Sequence, residues 1–552
     1  MSEADSPVAD NVYLAFVKTA RRHSHRPALR ADGGRGRTYT YDELGQEVRR
    51  LAFGLGTGAS ESQREIGLLS ENRPEWGLAY LAVLAAGKTV VPIDANLKPN
   101  EIAHIIEHSG LKVILCSERF EPVLAGLSSE CSVYSFAEES DNSWKALFME
   151  NGELAPASGD SVAALIYTSG TTGSPKAVEL THTNILANIQ GCQKALVLFP
   201  DDVMLSVLPL HHTLEATGGF LLPLMSGMSV VYARSLKSRD LLQDVATNGV
   251  TILIGVPLLF EKIYHTIRRK LKEASRTRRV LFSSFYVISY VSGRLGIPAG
   301  RKMFSAIRQR AGLGSIRVFV SGAAAIPMEI VKFFNIMGLT LLQGYGLTEC
   351  SPVVSLSRQD DNIFGSVGPP LDNVEVRIDR PGEDMVGEIV VRGPSITRGY
   401  RNNPEETAVL IRDGWLYTGD LGKFDRGHLW ITGRQKTVIV SAAGKNIYPE
   451  ELEERLLTSL YVMEALVFGR KKEGKQGEEV RALVVPDLQQ FESEFGLSAA
   501  SPDMGTIREQ IQQVINEVNH QVADFKRITG FEVQLDELEK TSTKKVKRYL
   551  YS

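Results

Sequence analysis

Seven consecutive residues that are only Thr, Ser or Gly, Thr168-Ser169-Gly170-Thr171-Thr172-Gly173-Ser174, are closed by Pro175 and a single cation, Lys176. Glycines let a backbone approach a ligand closely, hydroxyls and N–H groups supply donors, and the terminal Lys adds a fixed positive charge. Such a nest neutralises a polyanion, so the chemistry it suits is contact with nucleotide phosphates. Surface linkers share this composition. Here, however, an apolar run from Val162 to Tyr167 leads directly into the stretch and reads as a buried strand, and helix-like text from Thr181 to Leu196 follows. A Walker A loop would end in Gly-Lys-Ser/Thr, whereas this chain has Ser174-Pro175-Lys176.

The wording Tyr-Thr-Ser-Gly-Thr-Thr-Gly-x-Pro-Lys-Gly, matched here from Tyr167 to Lys176 and broken only by Ala177, resembles the phosphate loop of the adenylate-forming enzymes. That family comprises acyl-CoA synthetases, luciferases and peptide-synthetase adenylation domains. Five more clusters fit it. Pro209-Leu210-His211-His212-Thr213 contains a His pair that on its own is more often structural. The resemblance places His212 beside the substrate carboxylate, where an imidazole could orient it for attack. Ser321-Gly322-Ala323-Ala324-Ala325 follows a strand over Val318–Val320, and small residues there suit either a flat ring or a tight turn. The family puts adenine against Gly322, Ala323 and Ala324.

Gln343-Gly344-Tyr345-Gly346-Leu347-Thr348-Glu349 is the most specific of the five. By resemblance Tyr345 offers a face to adenine, while Gln343, Gly344, Gly346 and Thr348 contact the nucleotide. Glu349, with the Thr168 hydroxyl, is then the expected ligand of Mg2+, a cation that prefers oxygen donors. Tyr417-Thr418-Gly419-Asp420 would by itself be a turn; as the family's ribose motif it makes Asp420 the acceptor of both ribose hydroxyls. Arg434, in Gly433-Arg434-Gln435-Lys436, completes the nucleotide contact, and Lys436 occupies the hinge. The last cluster, Leu538 to Arg548, is a basic tail of the kind that is usually solvated. Its spacing matches the family's C-terminal motif and puts the adenylation lysine at Lys545, although Glu539 replaces Pro and Lys544 replaces Gly. Gly444, Lys445 and Asn446 fall where the family receives CoA.

These motifs need elements to position them. Helical spacing over Tyr41–Gly54 and Glu75–Ala86 alternates with strand text at Ile66–Leu69, Val90–Ile93 and Val113–Cys116. That alternation predicts an α/β fold with largely parallel sheets. A boundary is expected near Gly433, with a helix over Pro449–Leu460, strands at Ala465–Phe468 and Ala482–Val485, and a helix over about Met504–Ala523. The expected architecture is a large N-terminal α/β domain of layered sheets and helices, residues 1–433, with ATP and the fatty acid. A smaller mobile C-terminal α+β domain, residues 434–552, would carry the catalytic lysine.

Composition narrows the function classes. The chain has 552 residues, 43% hydrophobic and 23% charged, with a formal net charge of −3. Nucleic acid as the main partner would call for a basic balance that this chain lacks. The four cysteines are scattered without a CxxC pair, as expected of reduced packing residues in a cytoplasmic protein. Locally the picture differs. From Lys262 to Arg310 there are 13 Lys or Arg against one acidic residue, a balance of +12, around the apolar stretch Val280–Val291. This reads either as a solvated basic helix followed by a core helix, or as a peripheral membrane element. An insertion here resembles the long-chain branch of the acyl-CoA synthetases. The reading implied is a fatty-acid–CoA ligase using ATP, Mg2+ and coenzyme A. An acyl–acyl-carrier-protein synthetase and another carboxylic-acid-activating ligase remain as alternatives.

Overall fold

A computed structural model describes residues 11–31, 36–57, 60–127, 131–154, 156–168, 176–235, 237–441, 445–471, 477–496, 502–540 and 546–551. Two mostly parallel sheets carry the first part of the chain. Across the eight-stranded sheet the order is Val353–Leu356, Thr340–Gly346, Val318–Ser321, Ile252–Gly255, Val203–Ser206, Ser229–Tyr232, Pro27–Arg30, Tyr39–Thr40. Only its two edge pairings are antiparallel. The six-stranded sheet runs Ser132–Ser135, Val113–Cys116, Glu65–Leu69, Thr89–Ile93, Val162–Thr168, Lys176–Thr181. It is parallel except where its last strand folds back on Val162–Thr168. Parallel neighbours require crossovers, and helices supply them.

Helix Pro74–Ala85 lies between these two sheets, in contact with strands of both, and all 12 of its residues are buried. Pro74 at its first turn presets the helical φ. Gly77 is required by close approach, because a Cβ there would stand 2.7 Å from the Phe220 ring. A third sheet is antiparallel, with strands Glu375–Asp379, Gly387–Arg392, Trp415–Asp425 and Ile411–Arg412, and with His428–Arg434 paired to Trp415–Asp425. Beyond it, Val462–Lys471 and Glu478–Pro486 form a hairpin joined in parallel by Gly530–Val533. Helices Pro449–Leu456 and Met504–His520 cover this sheet, and Leu452, Val467, Val484, Phe491, Ile507, Ile511 and Ile515 belong to a core cluster made only of residues beyond 438.

The strand at Val113–Cys116 falls where the sequence predicts it. Helix-like text does not follow the Thr/Ser/Gly stretch at once: strand Lys176–Thr181 comes first, and helix His182–Ala195 starts at a capping box of Thr181 and Asn184. The helix expected to reach Leu460 stops at Leu456. There the Thr458 hydroxyl donates to the Arg455 carbonyl, diverting it from helical pairing.

In the basic segment, one of the two expected readings fails. Helix Pro257–Lys272 is followed by helix Arg276–Arg294, and the second is not a core helix. Only Phe282 and Ser289 of it are buried, whereas Val280, Leu281, Val287, Ile288 and Val291 are each at least 50% exposed. No described helix is long and apolar enough to cross a membrane. The four cysteines are unpaired.

Candidate functional site

The antiparallel pairing of Val162–Thr168 with Lys176–Thr181 sets Thr168 directly opposite Lys176. The two ends of the Thr/Ser/Gly stretch are thereby fixed side by side on a sheet edge. Ser169, Gly170, Thr171, Thr172 and Gly173 lie outside the described residues. Lys176 extends its ammonium to within 2.6 Å of Glu406 Oε2 and 5.3 Å above the Tyr400 ring. Glu406 is held in the first turn of helix Pro404–Leu410, whose N-cap, Asn403, accepts from the Glu406 N–H.

Tyr400 links that cation to the predicted metal ligand. Its hydroxyl donates to Glu349 Oε1 at 2.7 Å. Burial, then the Glu349 charge, pushes the Tyr400 phenol well above its ordinary range, so it stays a donor. Glu349 sits in the short turn Thr348–Cys350 just after strand Thr340–Gly346, and its own carbonyl accepts from Thr397 N–H at 2.8 Å. The turn fits because Gly346 has no Cβ; one would fall 1.8 Å from the Pro352 carbonyl oxygen. Next to Glu349, the buried Thr348 hydroxyl accepts from the Thr213 hydroxyl at 3.0 Å. Thr213 adjoins His212, whose Nδ1 accepts from Leu214 N–H at 3.3 Å. In the neutral ring this acceptor role puts the proton on Nε2. The residue after His212 thus touches the residue before Glu349.

A second group of contacts surrounds Asp420. Strand register sets Asp420 opposite Arg434. Arg434 Nε donates to Asp420 Oδ1 at 2.6 Å and the Tyr345 hydroxyl to Oδ2 at 2.8 Å. The Asp420 charge raises the Arg434 pKa, although the guanidinium is half exposed. Tyr345 is raised well above its ordinary value, by burial first and Asp420 second. Each carboxylate oxygen still has a second lone pair, so Asp420 can accept from two further hydroxyls while both partners stay in place.

The other predicted residues distribute as follows. Gln343 is buried and donates to the Ser366 carbonyl at 2.9 Å. Gly344 and Gly346 end the strand that also carries Tyr345. Gly322, Ala323 and Ala324 follow strand Val318–Ser321, and Ala323 adopts φ 71°. A non-glycine residue in that region costs on the order of 1–2 kcal/mol and points to a functional constraint on the backbone. Lys436, Lys445 and Asn446 stand apart from these contacts. Lys436 is exposed, Lys445 places its ammonium 4.7 Å from the Phe525 ring centre, and Asn446 pairs with Val440 in a two-stranded ribbon. Gly444 and Lys545 lie outside the described residues.

Sequence reasoning missed Tyr400 and Glu406. Neither stands in a charge pattern or a spacing that signals chemistry; the contact with Lys176 and Glu349 arises only when two sheets meet. It also passed over His211, whose Nε2 lies 3.5 Å from Asp94 Oδ2 and which burial holds toward the neutral form. A metal would find few protein ligands: no group of three or more His, Cys, Asp or Glu suited to an ion occurs among the described residues. The Glu349 carboxylate, which accepts from Tyr400, and the Thr168 hydroxyl, which donates to the Lys176 carbonyl, are oxygen donors of the type a hard cation takes beside phosphates and water.

Comparison with known proteins gives the following. The family model described as AMP-binding enzyme matches residues 16–401, and the AMP-binding enzyme C-terminal domain matches residues 436–550. A long-chain-fatty-acid–CoA ligase of Mycobacterium bovis is 30% identical over 92% of this chain and 89% of its own. The peroxisomal long chain acyl-CoA synthetase 7 of Arabidopsis thaliana is 30% identical over 84% of this chain and 72% of its own. The o-succinylbenzoate coenzyme A synthetase of Bacillus subtilis, solved with ATP and magnesium ion, superposes with a TM-score of 0.73. It is 25% identical and covers 97% of this chain and 98% of its own.

Proposed function

The chain belongs to the AMP-binding enzyme family, and on that premise we propose that it is an ATP-dependent ligase that converts a long-chain fatty acid, through an acyl-adenylate, to its CoA thioester. The observation that carries the reading is the presence of two polar clusters, Tyr345–Asp420–Arg434 and Lys176–Tyr400–Glu349, with Tyr345 and Glu349 four residues apart in one motif. One offers an aromatic face beside a carboxylate suited to a ribose, the other a cation and a carboxylate suited to phosphates. The chain-length class comes from the curated relatives.

In the first half-reaction the fatty carboxylate attacks the α-phosphorus of ATP. A new P–O bond forms, the bond to the bridging oxygen of pyrophosphate breaks, and pyrophosphate leaves with its electron pair. Negative charge grows on the phosphoryl oxygens, and Lys176 and Lys545 are assigned to stabilise it. His212 orients the incoming carboxylate. Binding of phosphate draws Lys176 away from Glu406, which holds the ammonium in the meantime. A magnesium ion held by Glu349 and Thr168 supplies further neutralisation of the phosphates when bound. In the second half-reaction the thiol of CoA gives its proton to solvent and its sulfur forms a bond to the acyl carbonyl carbon, while the carbon–oxygen bond to the phosphate breaks and AMP leaves with that electron pair. The smaller domain, taken as residues 434–552, turns about Lys436 to withdraw Lys545 and present Gly444, Lys445 and Asn446 to CoA. The separate core beyond residue 438 supports a division at that point.

The test is to incubate the protein with ATP, palmitate, Mg2+ and either CoA or acyl carrier protein, and to identify products by mass. Palmitoyl-CoA, AMP and pyrophosphate are expected. Transfer to the carrier protein alone would reassign the acceptor, and release of inorganic phosphate in place of pyrophosphate would overturn the reading. Repeating the assay across fatty-acid lengths defines the specificity.

A further inference from the structure

Helix Arg276–Arg294 is apolar on both of its sides, and only one side has a partner. The inner side, with Phe282, Phe285, Tyr286 and Ser289, packs on Phe304 and Phe333. The Ser289 hydroxyl donates to the Ile336 carbonyl at 2.6 Å, which fixes the helix against the body of the domain. The outer side, at the helical spacing i, i+4, i+7, i+11, is Val280, Ser284, Val287 and Val291, apolar but for one serine. Leu281 and Ile288 flank it, and Leu295 (73% exposed) and Ile297 extend it past the helix end. A surface helix ordinarily shows charge on that side.

Charge is instead concentrated at the two ends of the stripe. Arg276, Arg278 and Arg279 precede it, and Arg294, Arg301 and Lys302 follow. None of these six forms an ion pair with a described carboxylate. The basic residues of the preceding helix behave differently: Arg269 reaches Asp487 at 3.9 Å and Gln489 at 2.7 Å, and Lys272 reaches Glu494 at 3.3 Å. The +12 segment is thus divided. One part holds the helix Leu488–Phe495 of the C-terminal portion, and the other leaves cations and apolar side chains facing outward together.

The geometry points to an anionic lipid surface as the occupant of this face. Apolar side chains enter the acyl boundary while arginines at both ends meet anionic headgroups, as in an interfacial helix. The arrangement is a peripheral contact, since the helix lies flat on the fold with its inner side fixed to Phe304 and Phe333. A protein partner, or a second copy, would need one surface that supplies carboxylates to the arginines at both ends and apolar cover to the valine stripe between them. The inference does not depend on which reaction the nucleotide site performs.

The test is sedimentation of the full chain with vesicles of phosphatidylcholine alone or of phosphatidylcholine mixed equally with phosphatidylglycerol. Binding is expected to the mixed vesicles at low salt and to weaken as salt rises, with little binding to phosphatidylcholine alone. The triple variant Arg276→Glu, Arg278→Glu, Arg279→Glu should lose at least about tenfold in partitioning. Val287→Ser with Val291→Ser should lose binding even at low salt, and both variants should keep the wild-type thermal midpoint because these side chains are exposed. As an independent reading, a Trp placed by Val287→Trp should shift its emission to the blue on the mixed vesicles only. Indifference of the wild type to the mixed vesicles overturns the inference. So does a concentration-dependent dimer by analytical ultracentrifugation that buries the same Trp without lipid.

Discussion

Two regions rich in charge differ in one respect: whether the protein supplies partners for them. In the nucleotide region Lys176 lies against Glu406, Glu349 accepts from Tyr400, and Asp420 accepts from both Tyr345 and Arg434. These groups are partly or wholly buried, and an unpartnered polar group there would carry a large desolvation cost. On helix Arg276–Arg294 the arginines are exposed to water and need no partner to be stable. A buried polar cluster has to be pre-organised, and its ligand exchanges with existing partners. An exposed one can wait, and its ligand adds new ones. Substitutions should therefore act on rate in the first region and on localisation in the second.

The largest effect should come from Lys545→Ala, which removes a cation assigned to the first half-reaction only. Acyl-adenylate formation should fall by about 10²-fold or more, the scale of losing one charge-stabilising donor. Discharge of pre-made acyl-adenylate to CoA should survive; equal loss in both steps would contradict the division of labour between the two domains. Lys544→Ala should be milder in the same assay, and the reverse order would move the assignment by one residue.

Glu349→Gln comes next. It keeps the shape and the acceptor for Tyr400 but removes the charge, so activity should drop and the Mg2+ concentration for half-maximal rate should rise. An unchanged Mg2+ titration removes Glu349 from the site. Tyr400→Phe deletes one hydrogen bond to that carboxylate, worth on the order of 2 kcal/mol, and should shift the same titration by no more than about thirtyfold. A shift as large as that of Glu349→Gln would mean that Tyr400 itself touches the reacting groups.

The comparison predicts silence for the second region in the same assay. Reversing Arg276, Arg278 and Arg279 should leave turnover of a short, soluble acid unchanged, and a loss there would join the two regions. The last effect concerns stability. Glu261, on helix Pro257–Lys272, is buried, and burial first and the Glu464 charge second push its carboxyl up to about 7. A carboxyl raised in the folded state contributes stability that is present below its unfolded pKa and is lost as pH rises through the folded value. Glu261→Gln removes that titration, so the variant should gain on the wild type between about pH 5 and pH 8 by up to roughly 3 kcal/mol in urea unfolding. A difference that is flat with pH would show that Glu261 does not titrate as placed.

How much was legible before the structure follows from the same contrast. Strand–helix alternation gave the parallel sheets, because Val113–Cys116 and Thr89–Ile93 are wholly buried and announce themselves as short apolar runs. Contiguous motifs such as Gln343–Glu349 were legible because one strand end positions all of their residues. Tyr400 and Glu406 were not, since their role depends on contacts with residues 51 and 230 positions away, which no local spacing announces. Helix Pro74–Ala85 and the stretch Val280–Val291 inside helix Arg276–Arg294 both read as apolar runs yet meet opposite surroundings, one between two sheets and the other on an outer surface. Being an apolar run does not distinguish these; the cluster Arg276, Arg278 and Arg279 that leads into only the second does.

The most direct measurement is a single turnover without CoA: protein in excess of ATP, with palmitate and Mg2+, quenched and analysed by mass. One pyrophosphate released per enzyme-bound palmitoyl-adenylate, with the adenylate discharged to palmitoyl-CoA on later addition of CoA, is the predicted result. ADP and inorganic phosphate, or palmitoyl-CoA formed with no adenylate preceding it, would contradict it.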